Sequence, residues 1–194
     1  MPDPLLQLKQ VMNATAPMPE TDWEEFSSFF KPFAAKRKEV LTKAGETEKY
    51  LYFVTEGVQR IFYYDDQNRE ATLVFTYAPS FGGVLDALLL QQPSRYYYET
   101  LTPSVFLRAA ISDILPITNQ RPALSFLIRQ GVTHALSGVL ERLVELQCFT
   151  SEEKFRQLLR RSPHILQLVP HKYLANYLGI EATNFSKLIN KVRI

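Results

Sequence analysis

The residues of this chain best equipped for chemistry lie near its carboxyl end. There "ATNFSKLINK" sets Thr183, Asn184, Ser186, Lys187 and Lys191 around two apolar positions, Phe185 and Leu188. Asn, Ser and Lys side chains can hydrogen-bond base edges in a DNA groove, and Thr and Lys can hold phosphate oxygens. At the helical repeat Phe185 and Leu188 share one side, which leaves the polar set on or near the outer faces. Arg193, a little further on, adds a cation suited to phosphate. The residues just before form a partner helix and a turn. Ala175 is small where one helix must lie tightly on the next, Gly179 suits the turn, and Leu174, Leu178 and Ile180 join Phe185 and Leu188 in a shared apolar seam. This is the pattern of a helix-turn-helix, and double-stranded DNA is its first candidate partner. A plain helical hairpin would explain the seam but not the polar residues left outside it.

Other chemistry is thinly supplied. Cys148 is the only cysteine, which excludes an internal disulfide framework and a cluster held by several thiolates, and it reads as a lone buried thiol. His134, His164 and His171 show no metal-ligand spacing and are expected at the surface or at helix ends, so no metal is implied. Ser94, Asp86 and His134 could be strung into a nominal triad, but no nucleophile-elbow glycine pattern or paired-carboxylate spacing supports one. The chain is not expected to be an enzyme.

The elements that must position the terminal motif come in three groups. From about Glu39 to Ala110 the sequence reads as strands: Tyr50 to Tyr64 and Glu70 to Tyr77 are dense in aromatic and β-branched residues and flank the turn cluster "DDQNR". "RYYYETL" and "SVFLRAA" form a further pair split at Thr102-Pro103. Several short strands at close spacing imply a small antiparallel barrel or jelly roll. Before it, "DPLLQLKQV" and "DWEEFSSFFKPF" read as short helices, the second capped by Thr21 or Asp22. After it, Arg121 to Gln147 is one long helix, with Leu124, Ile128, Gly131, Ala135, Val139, Leu143 and Leu146 along a single stripe. At about 1.5 Å per residue it runs about 40 Å, long enough to serve both its own barrel and a second copy of the chain. "SEEKFRQLLRRSP" then opens on a Thr150 or Ser151 cap and closes at Pro163.

Composition sets the outer bounds. The chain has 194 residues, 46% hydrophobic and 22% charged, which suits a folded globular protein rather than a disordered one. No apolar run approaches the roughly 18 to 20 residues of a membrane helix, so no membrane partner is expected. The amino terminus lacks a basic region followed by an apolar block, which makes the cytoplasm the expected location. The net charge of +2 conceals an asymmetry: from Thr150 onward eight Lys or Arg face three Glu. A basic end on a mildly acidic body points to a polyanion partner for that end alone.

The order of parts, barrel then long helix then helix-turn-helix, resembles the Crp/Fnr family of bacterial transcription regulators. The likeness runs over about residues 20 to 193, through "AGETEKYLYFVTEGVQRIFY", "FGGVLDALL", "PSRYYYETL" and "YLANYLGIEATNFSKLINKV". It implies an α+β protein: an N-terminal antiparallel β-roll sensor domain (1–120), a long dimerisation helix (121–149) and a small all-α helix-turn-helix domain (150–194) without a C-terminal wing. It also implies a ligand cassette at Phe81, Gly82, Gly83, Val84, Leu85, Ser94, Arg95 and Tyr96. In the family's nucleotide binders F-G-E supplies a Glu for the ribose, and a later R-[ST]-A supplies an Arg for the cyclic phosphate. Here Gly83 replaces the Glu, and Pro93 falls on the Arg position unless a two-residue shift brings in Arg95. A buried phosphate without a cation costs several kcal/mol, so the altered cassette argues against a cyclic nucleotide. A different small-molecule effector, or none, stays open, and no other cofactor is implied.

The resulting expectation is a homodimeric, sequence-specific DNA-binding regulator. Leu124, Ile128, Gly131, Ala135, Val139 and Leu143 form its dimer face, and RNA polymerase joins the partners if it activates. The alternative is a sensing module whose terminal bundle contacts a protein instead of DNA.

Overall fold

A computed structural model describes residues 3–191. Helix α1 (Pro4–Thr15) opens with the Asp3 carboxylate accepting the Leu5 N–H, and α2 (Glu20–Ser28) follows from Pro19 rather than from Thr21 or Asp22. The second helix was expected to run on through "KPF", but Lys31–Ala35 is a strand, β1, because it pairs along its whole length with the strand Ser104–Ala110, β8.

Between these lie β2 (Val40–Thr42), β3 (Tyr50–Glu56), β4 (Val58–Tyr64), β5 (Glu70–Tyr77), β6 (Ser80–Gly82), a short helix α3 (Leu85–Leu90) and β7 (Tyr97–Thr100). They form two four-stranded antiparallel sheets, ordered β1-β8-β3-β6 and β2-β7-β4-β5. The run from Tyr50 to Tyr64 is thus two strands on opposite sheets. Gly57 breaks it at φ +87°, and a Cβ there would strike the Pro103 carbonyl and Ser104, so only glycine fits. The β4–β5 turn is closed by the Asp65 carboxylate, which accepts the Gln67 and Arg69 N–H groups at 2.9 and 2.8 Å. Alternation along β3 and β8 separates two cores. Tyr52, Val54 and Phe106 fill the barrel together with Tyr98. Phe53, Leu107 and Ala109 face outward and are covered by α1, α2 and a helix the sequence reading did not anticipate, α4 (Ile111–Gln120).

Helix α5 (Pro122–Cys148) begins in that outer core, runs exposed through its middle, and near its end buries Arg142 and Glu145 against the helices that follow. Leu124 and Leu127 are buried in the chain's own core, which removes Leu124 from the expected dimer face. Cys148, expected to be buried, is exposed, since it is the last residue of α5. The helical head follows: α6 (Ser151–Arg161), α7 (Ile165–Leu168), α8 (His171–Leu178) and α9 (Ala182–Lys191). Thr150 caps α6 through a reciprocal pair with Glu153. Arg193 lies outside the described residues. No described helix is long and apolar enough to cross a membrane.

Candidate nucleic-acid interface and effector cavity

Helices α8 and α9 meet at Gly179, whose φ of +62° is a left-handed turn residue. Its N–H donates to the Asn176 carbonyl at 3.0 Å, and the Ile180 N–H donates to that of Ala175 at 2.9 Å, so the last carbonyls of α8 are satisfied. Leu174, Ala175 and Leu178 are buried against Phe185 and Leu188 of α9, with Phe155 of α6 edge-on to Phe185. Thr183, Asn184, Ser186, Lys187 and Lys191 are all exposed. They divide, however, between two faces. The Asn184 amide donates to Ser151 at 3.4 Å and the Lys191 ammonium pairs with Glu152 at 2.9 Å, so both lean toward the start of α6. That salt bridge is among the contacts that hold the Glu152 carboxyl below its usual range. Thr183, Ser186 and Lys187 share the outer face with Asn190, an exposed amide one turn beyond Lys187 that the sequence reading passed over.

The head is seated on the β-roll rather than tethered to it. Strand β5 is the edge of its sheet, and α8 lies along it. The Asn176 carboxamide serves as a substitute strand: it accepts the Thr72 N–H at 2.6 Å and donates to the Glu70 carbonyl at 2.6 Å. Beside it Arg60, 3% exposed, donates to Glu99 at 2.6 Å and to both oxygens of Glu70 at 2.6 and 2.8 Å, with its face 4.1 Å from the Tyr173 ring of α8. The hydrogen bond from Arg60 holds the Glu70 carboxyl below its usual range. Lys38 reaches both Glu99 and the Tyr173 hydroxyl. On the other side Arg161 of α6 and Arg142 of α5 converge on the Glu145 carboxylate, and Arg142 also donates to the Tyr177 carbonyl. Burial works against the Glu145 charge, yet the two arginines carry its carboxyl below the usual range. A Cβ added at Gly179 would meet Leu146 of α5 at ordinary contact distance, 3.6 Å.

Within the barrel the segment after β6 is crowded. A Cβ on Gly82 would collide with the Tyr98 hydroxyl, and Gly83, at φ +112°, faces the Glu48 carboxylate and the Tyr52 ring. Glu48 is buried, and its two oxygens accept from Thr42 Oγ1 at 2.5 Å and from the N–H groups of Val84, Lys49 and Tyr50. Burial pushes its carboxyl up, against those hydrogen bonds. Burial likewise pushes the phenols of Tyr52 and Tyr98 up. Ser94 Oγ is spent on the backbone of Tyr96. A cavity of about 500 Å³ opens at the end of the barrel, lined by Phe33, Leu41, Thr42, Tyr50, Tyr52 and Arg108 among others.

Comparison with known proteins follows the same division. Residues 33–121 match the cyclic nucleotide-binding domain family. Among curated proteins none matches the sequence. Solved structures do match: FixK2 from Bradyrhizobium japonicum superposes at a TM-score of 0.77, over 84% of this chain and 83% of that one, at 14% identity. A transcriptional regulator of the Crp/Fnr family from Eubacterium rectale gives 0.70, over 90% and 83%, at 14% identity. CLP of Xanthomonas campestris, a c-di-GMP-responsive global regulator, gives 0.68, over 89% and 91%, at 14% identity.

The chain has the Crp/Fnr-type fold.

In a Crp/Fnr-type frame the cassette residues are dispersed. Phe81 packs edge-on against Phe53, on the helix-covered side of its sheet, and Leu85 is exposed. Arg95 is exposed and does not line the cavity, and Pro93 carries no charge, so neither supplies a cation beside Gly82 and Gly83. None of the eight residues expected to form the pocket lines this cavity at the end of the barrel. The reason is strand alternation. Arg108, Tyr50 and Tyr52 project into the barrel from β8 and β3; the tyrosines lie within the quoted "AGETEKYLYF" stretch but not at the positions read as the ligand cassette, and no motif marks Arg108. Their signal was in the sequence only as the inward phase of two strands. Among the described residues no group of His, Cys, Asp and Glu side chains could hold a metal ion.

Proposed function

We propose that this Crp/Fnr-type chain is a homodimeric, sequence-specific DNA-binding transcription regulator whose β-roll governs the placement of its helical head. The observation that carries the reading is the outer face of α9. Thr183, Ser186, Lys187 and Asn190 form an exposed polar surface on a helix whose opposite side is locked by Phe185 and Leu188. Lys187 and Asn190 are suited to base edges, and Thr183, at the helix start, to a phosphate.

Dimerisation is supported by the outer part of α5. Val132, Leu136, Val139, Leu143 and Leu146 recur at alternating intervals of four and three, and each is 37% to 57% exposed. A heptad stripe left in water is the seam of a two-stranded coiled coil. It is displaced by about one residue from the Gly131 and Ala135 edge expected from the sequence, with Val139 and Leu143 common to both, and with Ile128 half-buried at its inner end. Two heads related by a two-fold axis would read half-sites about 34 to 36 Å apart.

The test is a binding titration of the full chain against DNA from upstream of its own gene and against random duplex, over a range of salt. A specific regulator retains a preference for one sequence as salt rises, whereas equal binding to both at every salt concentration rejects the proposal.

A further inference from the structure

The cavity at the open end of the barrel holds a cation, Arg108, that lies among aromatic side chains and pairs with no described carboxylate. Arg108 projects inward from β8, opposite Tyr52 of β3, and its guanidinium carbon lies 3.8 Å from the centre of the Phe33 ring and 4.3 Å from that of Tyr50. These rings come from β1 and β3, the two strands flanking β8, so they hold the guanidinium from either side. Among the described residues no carboxylate lies within ion-pair distance of it. Arg60, on the outer face of β4 against the head, is by contrast fully engaged by Glu70 and Glu99. Aromatic contact occupies the faces of a guanidinium and leaves its N–H edge to bind a planar oxyanion through two parallel hydrogen bonds.

The rest of the lining narrows the ligand. Leu41, Tyr52 and Phe33 offer apolar surface, and a volume of about 500 Å³ suits a small organic molecule. Glu39, Glu46 and Glu48 share the lining with Lys49 and Arg108, so a second carboxylate on the ligand would meet acidic neighbours rather than another arginine. Glu48 is already spent on Thr42 and backbone N–H groups, which leaves Arg108 as the recognising group.

We propose that the open end of the barrel binds a small organic monocarboxylate, its carboxylate paired edge-on with Arg108 and its apolar body against Phe33, Leu41 and Tyr52. This names a ligand class for the β-roll without depending on DNA recognition by the head, and its test contains no DNA.

The experiment is calorimetric titration of the full chain with hexanoate, with neutral hexanamide and with the dianion hexanedioate. Hexanoate is expected to saturate in the millimolar range or below and to exceed each of the other two by about tenfold. Arg108→Met should abolish the hexanoate advantage. Arg108→Lys, which keeps the charge and the fold but loses the planar edge, should reduce it several-fold. Absence of saturation by hexanoate overturns the site, as does equal binding of hexanamide or an Arg108→Lys protein that binds hexanoate as the native chain does. Tighter binding of hexanedioate overturns the monoanion assignment.

Discussion

Replacing Asn176 with alanine removes the two hydrogen bonds by which α8 completes the edge of strand β5. The side chain spans the Thr72 N–H and the Glu70 carbonyl, both at 2.6 Å, and Thr72 is 5% exposed. Truncation therefore strands one donor and one acceptor beneath a helix, at about 1–3 kcal/mol for each group left unpaired. Part of that cost is recovered, because the head can tilt and admit water to the strand edge. A net loss of about 2 kcal/mol in seating the head corresponds to a shift of roughly 30-fold toward the undocked arrangement. The direct measurement is hydrogen exchange at the Thr72 amide, which in the docked state has Asn176 as its acceptor. In Asn176→Ala this amide should exchange about tenfold to 100-fold faster, while amides of β3 and β8, remote from the head, keep their protection. An unchanged Thr72 rate would show that α8 is held by its apolar contacts alone. Uniform acceleration throughout the barrel would show global destabilisation and refute the idea of a separable latch.

Leu136→Glu places a charge in the exposed seam of α5, 57% exposed in one chain. It should convert a dimer to monomer in sedimentation without lowering the thermal stability of the monomer, since nothing in the chain itself covers that residue. Lys187→Ala should relax discrimination between operator variants by about 1–3 kcal/mol, read from competition binding, with a change in salt slope of about one charge or less. Gly179→Ala forces a side chain into a left-handed turn and should destabilise the head by about 1 kcal/mol, measured by urea unfolding. Glu145 on α5 pairs with Arg161 of the head, and Glu70 holds Arg60 against the Tyr173 ring of the head; both carboxyls are held below their usual range. Their contribution is complete above the ordinary glutamate range and is lost as pH falls through the lowered values. Scattering should accordingly report a constant radius from neutrality down to that range, and a released, larger particle below it.

The sequence alone determined the elements whose signals are local. Gly179 with its flanking apolar offsets gave the helix-turn-helix, because a left-handed turn and a two-helix seam impose requirements within some fifteen residues. The β4–β5 turn was equally legible, since Asp65 closes it on neighbours four residues away or fewer. The phase of α5 was not. A stripe read from apolar spacing cannot say which side the molecule itself will cover, and the burial of Leu124 with the exposure of Val132 and Leu136 followed only from docking on α1 and α4. Gly57 marks a turn within the Tyr50 to Tyr64 run, but nothing local says that its two halves join different sheets, and the glycine-altered cassette drew attention to residues that do not line the barrel cavity. Arg108 belongs to no motif, and Asn176 lies within the helix-turn-helix stretch without being one of the positions that define it. One is an ordinary polar residue on a helix and the other an ordinary cation in a strand. Their roles appear when residues more than a hundred positions apart in the chain meet at a sheet edge, and when β8 enters between β1 and β3 with its inward phase fixed. Local geometry can be read from neighbouring residues because the chain itself enforces their distance. Partners across a fold are set by which surfaces bury together, and that is decided only when the whole chain has packed.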